Sequence, residues 1–208
     1  MKPEAKMIAV AATQNEHKIR EIESITKQFG ITIITRAEAG VPDVEIEEDG
    51  DTFEANSEIK AREVMRLSRQ ISVADDSGLV VDALGGLPGV ISARFAGEEA
   101  DDIKNNEKLL RMMEGVPDGQ RTARFVSVIT MVFPDGYTIV ARGECEGHIL
   151  RAPRGSGGFG YDPLFVPNGW DRSFGELSPE EKNQISHRAM ALRKLKEILA
   201  DGWPEFKD

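Results

Sequence analysis

The segment "TARFVSVITMVFPDGYTIVARGECEGHIL", residues 122–150, constrains the fold more than any other stretch. Two β-branched and aromatic runs flank Pro134-Asp135-Gly136, a strong turn signal, so the pair reads as a hairpin. The rest of the chain mixes helical and strand patterns. "MIAVAAT" (7–13) reads as a buried strand, and "HKIREIESITKQFG" (17–30) sets Ile19, Ile22, Ile25 and Phe29 at helical spacing with Gly30 as C-cap. "ITIITR" (31–36) reads as a strand, 52–69 as a helix and "ISVAD" (71–75) as a second buried strand that ends on its acid. Residues 101–115 predict a helix with Ile103, Leu109, Leu110 and Met113 inward. A hairpin among alternating helices and strands favours an α/β domain with a mixed sheet over a purely parallel one.

With 208 residues the chain is long enough to bury a sizeable core, and no linker or repeat divides it. Its apolar runs are too short to cross a bilayer, and "MKPEAKMIAVAAT" lacks a convincing secretory cleavage site, so no membrane association is expected. Cys145 is the only cysteine, which fits a reducing cytoplasm and argues against an internal disulfide. A net charge of −10 argues against long nucleic acid as partner. It leaves room for a small phosphorylated ligand, which needs only a local basic cluster.

Four places carry chemistry. In "ATQNEHK" (12–18) a strand gives way to a polar turn and then a helix with Lys18 in its first turn, an anion-site layout without the Walker A spacing. The alternative is a simple cap by Asn15 with Lys18 solvated. "RGSGGFGYDPLF" (154–165) contains GxGxxG at Gly155, Gly157 and Gly160, but two prolines follow where a dinucleotide fold needs a helix. What remains is a glycine-rich loop with Phe159 as a stacking face for a base, or a plain turn with core aromatics. Asp75 and Asp76 form a doublet that needs positive compensation, for which Mg²⁺ is the natural candidate, with Glu47 or Glu48 of the acidic loop as a further ligand. The alternative for the doublet is a turn cap and a loop start. In 178–200, Ser178, Pro179 and Glu181 predict a capped helix. On one unbroken helix Lys182 and Arg188 would lie about 240° apart, so a break near Ser186 is predicted, with His187 and Arg188 opening a second helix.

Taken together, "ATQNEHK", "EEDGDTFEANSEIKA", "VADDSGLVVDALGGLPGVISARFAG", "GSGGFGYDPLF" and "ELSPEEKNQISHRAMAL" resemble, in order and over roughly residues 7–200, the inosine triphosphate pyrophosphatase (Ham1-like) family, its bacterial members above all. The resemblance implies a single two-lobed domain around a long mixed β-sheet with flanking helices and a cleft between the lobes. It implies Mg²⁺-dependent hydrolysis of ITP, dITP and XTP to monophosphate and diphosphate by a cytoplasmic homodimer. By the same resemblance, Asp76 is the catalytic acid and a metal ligand with Glu48. Thr13, Gln14, Asn15, Glu16, His17 and Lys18 form the phosphate turn. Asn56, Lys60, Ser77, Lys182, His187 and Arg188 contact substrate, and Phe159, Gly160, Tyr161 and Asp162 form the base loop. The family usually has glycine where this chain has Gln14, which raises the question of whether a positive φ is needed there. A donor facing C6 would select a purine carbonyl over an amine, with Arg188 and loop N–H groups near residue 160 as candidates. A Mg²⁺-dependent phosphomonoesterase and a non-catalytic nucleotide-binding module are the competing readings.

Overall fold

The computed structural model describes residues 7–202. Among these residues the strands are β1 (Met7–Ala11), β2 (Ile31–Ile34), β3 (Ser72–Val81), β4 (Thr122–Val132), β5 (Thr138–Ile149) and β6 (Phe165–Pro167), in one sheet ordered β2-β1-β3-β4-β5-β6. β1 runs parallel to β2 and β3, and β5 antiparallel to β6, so the sheet is mixed as the sequence predicts. The helices are α1 (Glu16–Thr26), α2 (Phe53–Ser68), α3 (Asp102–Met112), α4 (Pro179–Ile185) and α5 (His187–Gly202). The chain divides into two units: the first holds residues up to Asp76, Ser127–Gly143 and from Arg188 onward, the second Ser77–Val126 and Glu144–His187.

In the first unit, alternate residues of each strand serve two cores. Ala9, Val73 and Met131 pack with Ile22 and Ile25 of α1 and with Leu192, Leu195 and Leu199 of α5. Their neighbours Val10, Ala74 and Val132 pack with Ala61 and Val64 of α2. Apolar side chains on both faces are what strands covered by helices on each side require. In the second unit Leu79, Val81, Leu109, Met113 and Ile149 surround a ring cluster of Phe125, Phe165 and Phe174. Phe125 meets Phe165 edge-on at 4.8 Å and stacks on Phe174 at 5.8 Å.

Local chemistry sets the helix ends. Thr52 caps α2 by accepting from the Ala55 amide at 3.1 Å. At α4, Ser178 Oγ accepts from the Glu181 amide and Glu181 Oε2 from the Ser178 amide, closing the predicted capping box with Pro179 in the first turn. The predicted break is present: Ser186 is extended (φ −67°, ψ 156°) and α5 starts at His187. Cys145 is buried and its thiol is pushed up to about 12 by burial, so it stays protonated and unreactive at neutral pH.

Three expectations are corrected. β3 does not end at Asp75 but continues to Val81, so the acid doublet lies inside a buried strand. The predicted helix 17–30 is shorter: α1 ends at Thr26, and a 3-10 turn over Lys27–Phe29 reaches Gly30 at φ 83°. Ile103 is 73% exposed rather than inward. It lies in the first turn of α3, seven residues from Leu110 and so on the same line, and Leu110 is only the half-buried edge of the apolar stripe.

A Cβ at Gly147 of β5 would stand 2.2 Å from the Val166 carbonyl oxygen and 2.6 Å from the Phe165 ring. Gly147→Ala is expected to cost about 1–3 kcal/mol, read as a drop of several degrees in Tm. Ile103→Lys, by contrast, is expected to change stability by about 0.5 kcal/mol or less; thermal melts of both variants check the pair.

Candidate active site

The first unit builds its polar centre around β3. Asp75 is fully buried in mid-strand. Its carboxylate receives Lys18 at 2.9 Å, the Arg188 Nη2 at 3.0 Å and Nε at 3.3 Å, and the Ser127 hydroxyl at 2.5 Å. Burial alone would raise its pKa. Arg188 and Lys18 outweigh that and hold the carboxyl well below the ordinary range. Arg188, 1% exposed, also pairs with Glu21 of α1, and its guanidinium is held firmly protonated by these two carboxylates.

Asp76, on the opposite face of the strand, is 6% exposed and meets a different cation. Lys60 of α2 donates to Asp76 Oδ1 at 2.8 Å, to Glu48 Oε2 at 2.9 Å and to the Asp75 carbonyl at 3.1 Å. One ammonium therefore serves two carboxylates. Burial raises the pKa of Asp76, and Lys60 and Lys18 only partly offset it. Lys60 itself loses by burial but gains more from Asp76 and Glu48, so it stays charged. The second oxygen, Asp76 Oδ2, is buried and accepts a hydrogen bond from no described group. Asn56, one turn before Lys60 and also buried, turns its Oδ1 to the Gly50 amide at 2.8 Å and so fixes the acidic loop. No group of three His, Cys, Asp or Glu donors among the described residues is arranged to hold a metal. Asp76 and Glu48 still fit a hard divalent cation that keeps several waters and takes substrate phosphate, because one buried carboxylate oxygen is left over.

The turn before α1 serves as both cap and cradle. Thr13 Oγ1 accepts from the Asn15 amide at 3.1 Å, and Asn15 Oδ1 accepts from the amides of His17 and Lys18 at 3.0 and 3.2 Å. The cap and the cation coexist, since Lys18 reaches inward to Asp75 and is not solvated. Gln14 sends its side chain outward to Asp43 at 2.7 Å. Arg69 and Ala100 are the non-glycine residues of positive φ among the described ones, so Gln14 sits without backbone strain. Glu16 pairs with Arg20 on the exposed face of α1, and His17 is exposed.

The second unit holds the aromatic loop. A 3-10 turn over Asp162–Leu164 and then β6 follow it, so no dinucleotide-type helix opens there. Asp162 Oδ2 accepts from Lys182 Nζ at 2.6 Å and from the Phe159 amide at 3.0 Å. Lys182 Nζ lies 4.9 Å from the Phe159 ring centre. Gly158, at φ 71°, is required here because a Cβ would stand 2.0 Å from Asp162 Oδ2. The Gly160 amide donates to Asp102 at 2.7 Å. The N–H groups of residues 159 and 160, expected to face a purine carbonyl, are thus held by carboxylates, and Arg188 is held by Asp75 and Glu21. Tyr161 is a core residue, 4% exposed, donating its hydroxyl to the Ser92 carbonyl at 2.7 Å. His187 stacks on Phe125 at 4.7 Å, and Ser77 is half-buried on β3.

Sequence reasoning missed Glu21, Ser127, Asp102 and Asn106. Glu21 carried a signal, since it shares a helix face with Lys18 three residues earlier; a lone serine in a strand carries none.

Against known proteins, the sequence profile of the Ham1 family matches residues 9–198. A Clostridium perfringens protein named dITP/XTP pyrophosphatase is 48% identical over 196 residues, covering 91% of this chain and 96% of that protein. A Desulforamulus reducens protein of the same name is 50% identical over 194 residues, 93% of this chain and 96% of that one. Among solved structures, the Staphylococcus aureus Ham1 protein matches with a TM-score of 0.83 at 40% identity, covering 95% of this chain and 100% of the other. The structure of a nucleoside-triphosphatase / dITP/XTP pyrophosphatase from Mycobacterium abscessus matches with a TM-score of 0.72 at 41% identity, covering 95% and 99%.

The two adjacent acids should respond oppositely to neutralisation in metal-free protein. Asp75→Asn leaves Lys18 and Arg188 short of a counter-charge and is expected to lose about 3–5 kcal/mol. Asp76 has a raised pKa in the fold, so its ionisation works against folding at neutral pH. Asp76→Asn is expected to leave Tm unchanged or higher; urea melts in EDTA at pH 7 separate the two outcomes.

Proposed function

The chain belongs to the Ham1 family, and from that premise we propose that it hydrolyses deaminated purine nucleoside triphosphates (ITP, dITP and XTP) to the monophosphate and diphosphate. The observation that carries the reading is the buried Asp76, with one oxygen on Lys60 and the other unpartnered, in a chain that matches dITP/XTP pyrophosphatases over almost its whole length.

Attack of water between the α- and β-phosphates must manage about four negative charges, so positioning and neutralisation outweigh covalent help. We assign that task to Lys18 and Lys60, with Thr13 and the Asn15-capped turn at the helix start supporting the phosphates. Asp76 and Glu48 are the residues that would hold Mg²⁺. That ion, when bound, supplies charge neutralisation at the phosphate oxygens. Asp76, buried with one carboxylate oxygen left over, suits orienting or deprotonating the water. We read Asp75 as the anchor that keeps Lys18 and Arg188 in place, which supports Asp76 as the acid that acts. Phe159 offers the stacking face for the base, and Lys182, His187 and Ser77 complete the substrate contacts. We read the two units as one enzyme domain, because the Ham1 family profile runs through both. A homodimer and a cytoplasmic setting, both implied by the family, complete the reading.

Purified protein with Mg²⁺ and ITP, ATP or GTP tests this by product analysis. The expected outcome is IMP and diphosphate from ITP with ATP nearly untouched, loss of turnover with a chelator, and recovery with added Mg²⁺. Asp76→Asn is expected to lower kcat by about 10²-fold or more. Orthophosphate as product would favour the phosphomonoesterase, and ITP binding without product the non-catalytic module.

A further inference from the structure

Within the second unit, α3 grips the aromatic loop at a single residue, Gly160. Asp102 Oδ2 accepts from the Gly160 amide at 2.7 Å, and Asn106 Nδ2 donates to the Gly160 carbonyl at 2.8 Å. Asn106 Nδ2 also donates to the Asp102 carbonyl at 2.7 Å, so both its N–H bonds go to carbonyls and the orientation of its amide is fixed. Gly160 stands at φ 61° with nothing within 4 Å of a Cβ position, so conformation and these two bonds, not crowding, set its place. A residue held at both its N–H and its C=O has the peptide planes on either side of it pinned, and Phe159 and Tyr161 flank it.

α3 is itself anchored. Asn105, 2% exposed, accepts from the Ala96 amide at 2.6 Å and donates to the Ala93 carbonyl at 2.8 Å. Lys108 donates to the Phe95 carbonyl at 2.6 Å. The Tyr161 hydroxyl returns to the same segment at Ser92, whose own hydroxyl accepts from the Leu79 amide of β3 at 2.9 Å. The loop is therefore tied through α3 and through Tyr161 to one common frame.

We propose that Asp102 and Asn106 are positioning residues for base recognition: they set the Phe159–Asp162 loop in the conformation that receives the purine. This rests on the assignment of that loop to the base. Neither residue touches the reacting phosphates, so their loss removes binding that ground and transition states share, which raises KM and spares kcat.

Steady-state kinetics with ITP on wild type, Asp102→Ala, Asn106→Ala and Asp102→Asn test the proposal, with melting curves in parallel. Both alanine variants are expected to raise KM about tenfold, as loss of a hydrogen bond to a charged or fixed partner does, with kcat within about twofold of wild type. Asp102→Asn keeps an acceptor for the Gly160 amide and is expected to restore KM to within about threefold of wild type. Unchanged KM in both alanine variants, a fall in kcat without a rise in KM, or an Asp102→Asn as impaired as Asp102→Ala would each overturn it. Wild type that turns over no ITP would instead overturn the functional reading beneath it.

Discussion

Asp75 is a carboxylate with no solvent exposure in the middle of a buried strand, and it is tolerable only because a lysine and an arginine converge on it. An isolated buried carboxylate would protonate or prevent burial of the strand. With Lys18, Arg188 and Ser127 in place, β3 can run on to Val81, and its successive residues can face opposite sides. That alternation is what brings Asp76 to Lys60 and the acidic loop. The anchored Asp75 thus makes the placement of Asp76 possible. It also fixes the cations: Lys18 and Arg188 are placed by the charge they neutralise, and Glu21 completes the compensation of Arg188.

The second unit solves a different problem with the same means. Its aromatic loop is rich in glycine and has few side chains to pack, so its shape is set by polar anchors at Asp162, Gly160 and Tyr161. Asp162 ties the loop to Lys182, and the missing Cβ at Gly158 makes room for its carboxylate. Phe159 and Lys182 come together as a consequence.

Much of this was legible in the sequence where the cause is local. The capping box at Ser178, the break at Ser186, the Asn15 cap and the turn at Pro134-Asp135-Gly136 each depend on neighbouring residues, and each is present as read. The true course of β3 was not legible, because the residues that neutralise its acids lie at positions 18, 60 and 188, and no local pattern announces them. The glycine pattern was legible in part. GxGxxG drew attention to Gly155, where a Cβ would stand 2.2 Å from the Gly175 carbonyl oxygen, but not to Gly158, whose Cβ would displace Asp162. The aromatic loop and the Lys18 turn were singled out from the sequence; Asp102 and Asn106 of α3 were not, since nothing in "DDIKNNEK" says that Gly160 lies opposite.

The ion pairs at Arg188 span large stretches of chain: 113 residues separate it from Asp75 and 167 from Glu21. Contacts of such sequence separation form late, because the loop they close must be ordered first. During synthesis the whole of β3 is made long before the arginine that neutralises it. Until α5 docks, the Asp75 carboxylate lacks its arginine, and the first unit lacks the face that Leu192, Leu195 and Leu199 cover. The charge balance of β3 and the closure of this core therefore both depend on one late-made helix, through the arginine that opens it and the leucines that follow.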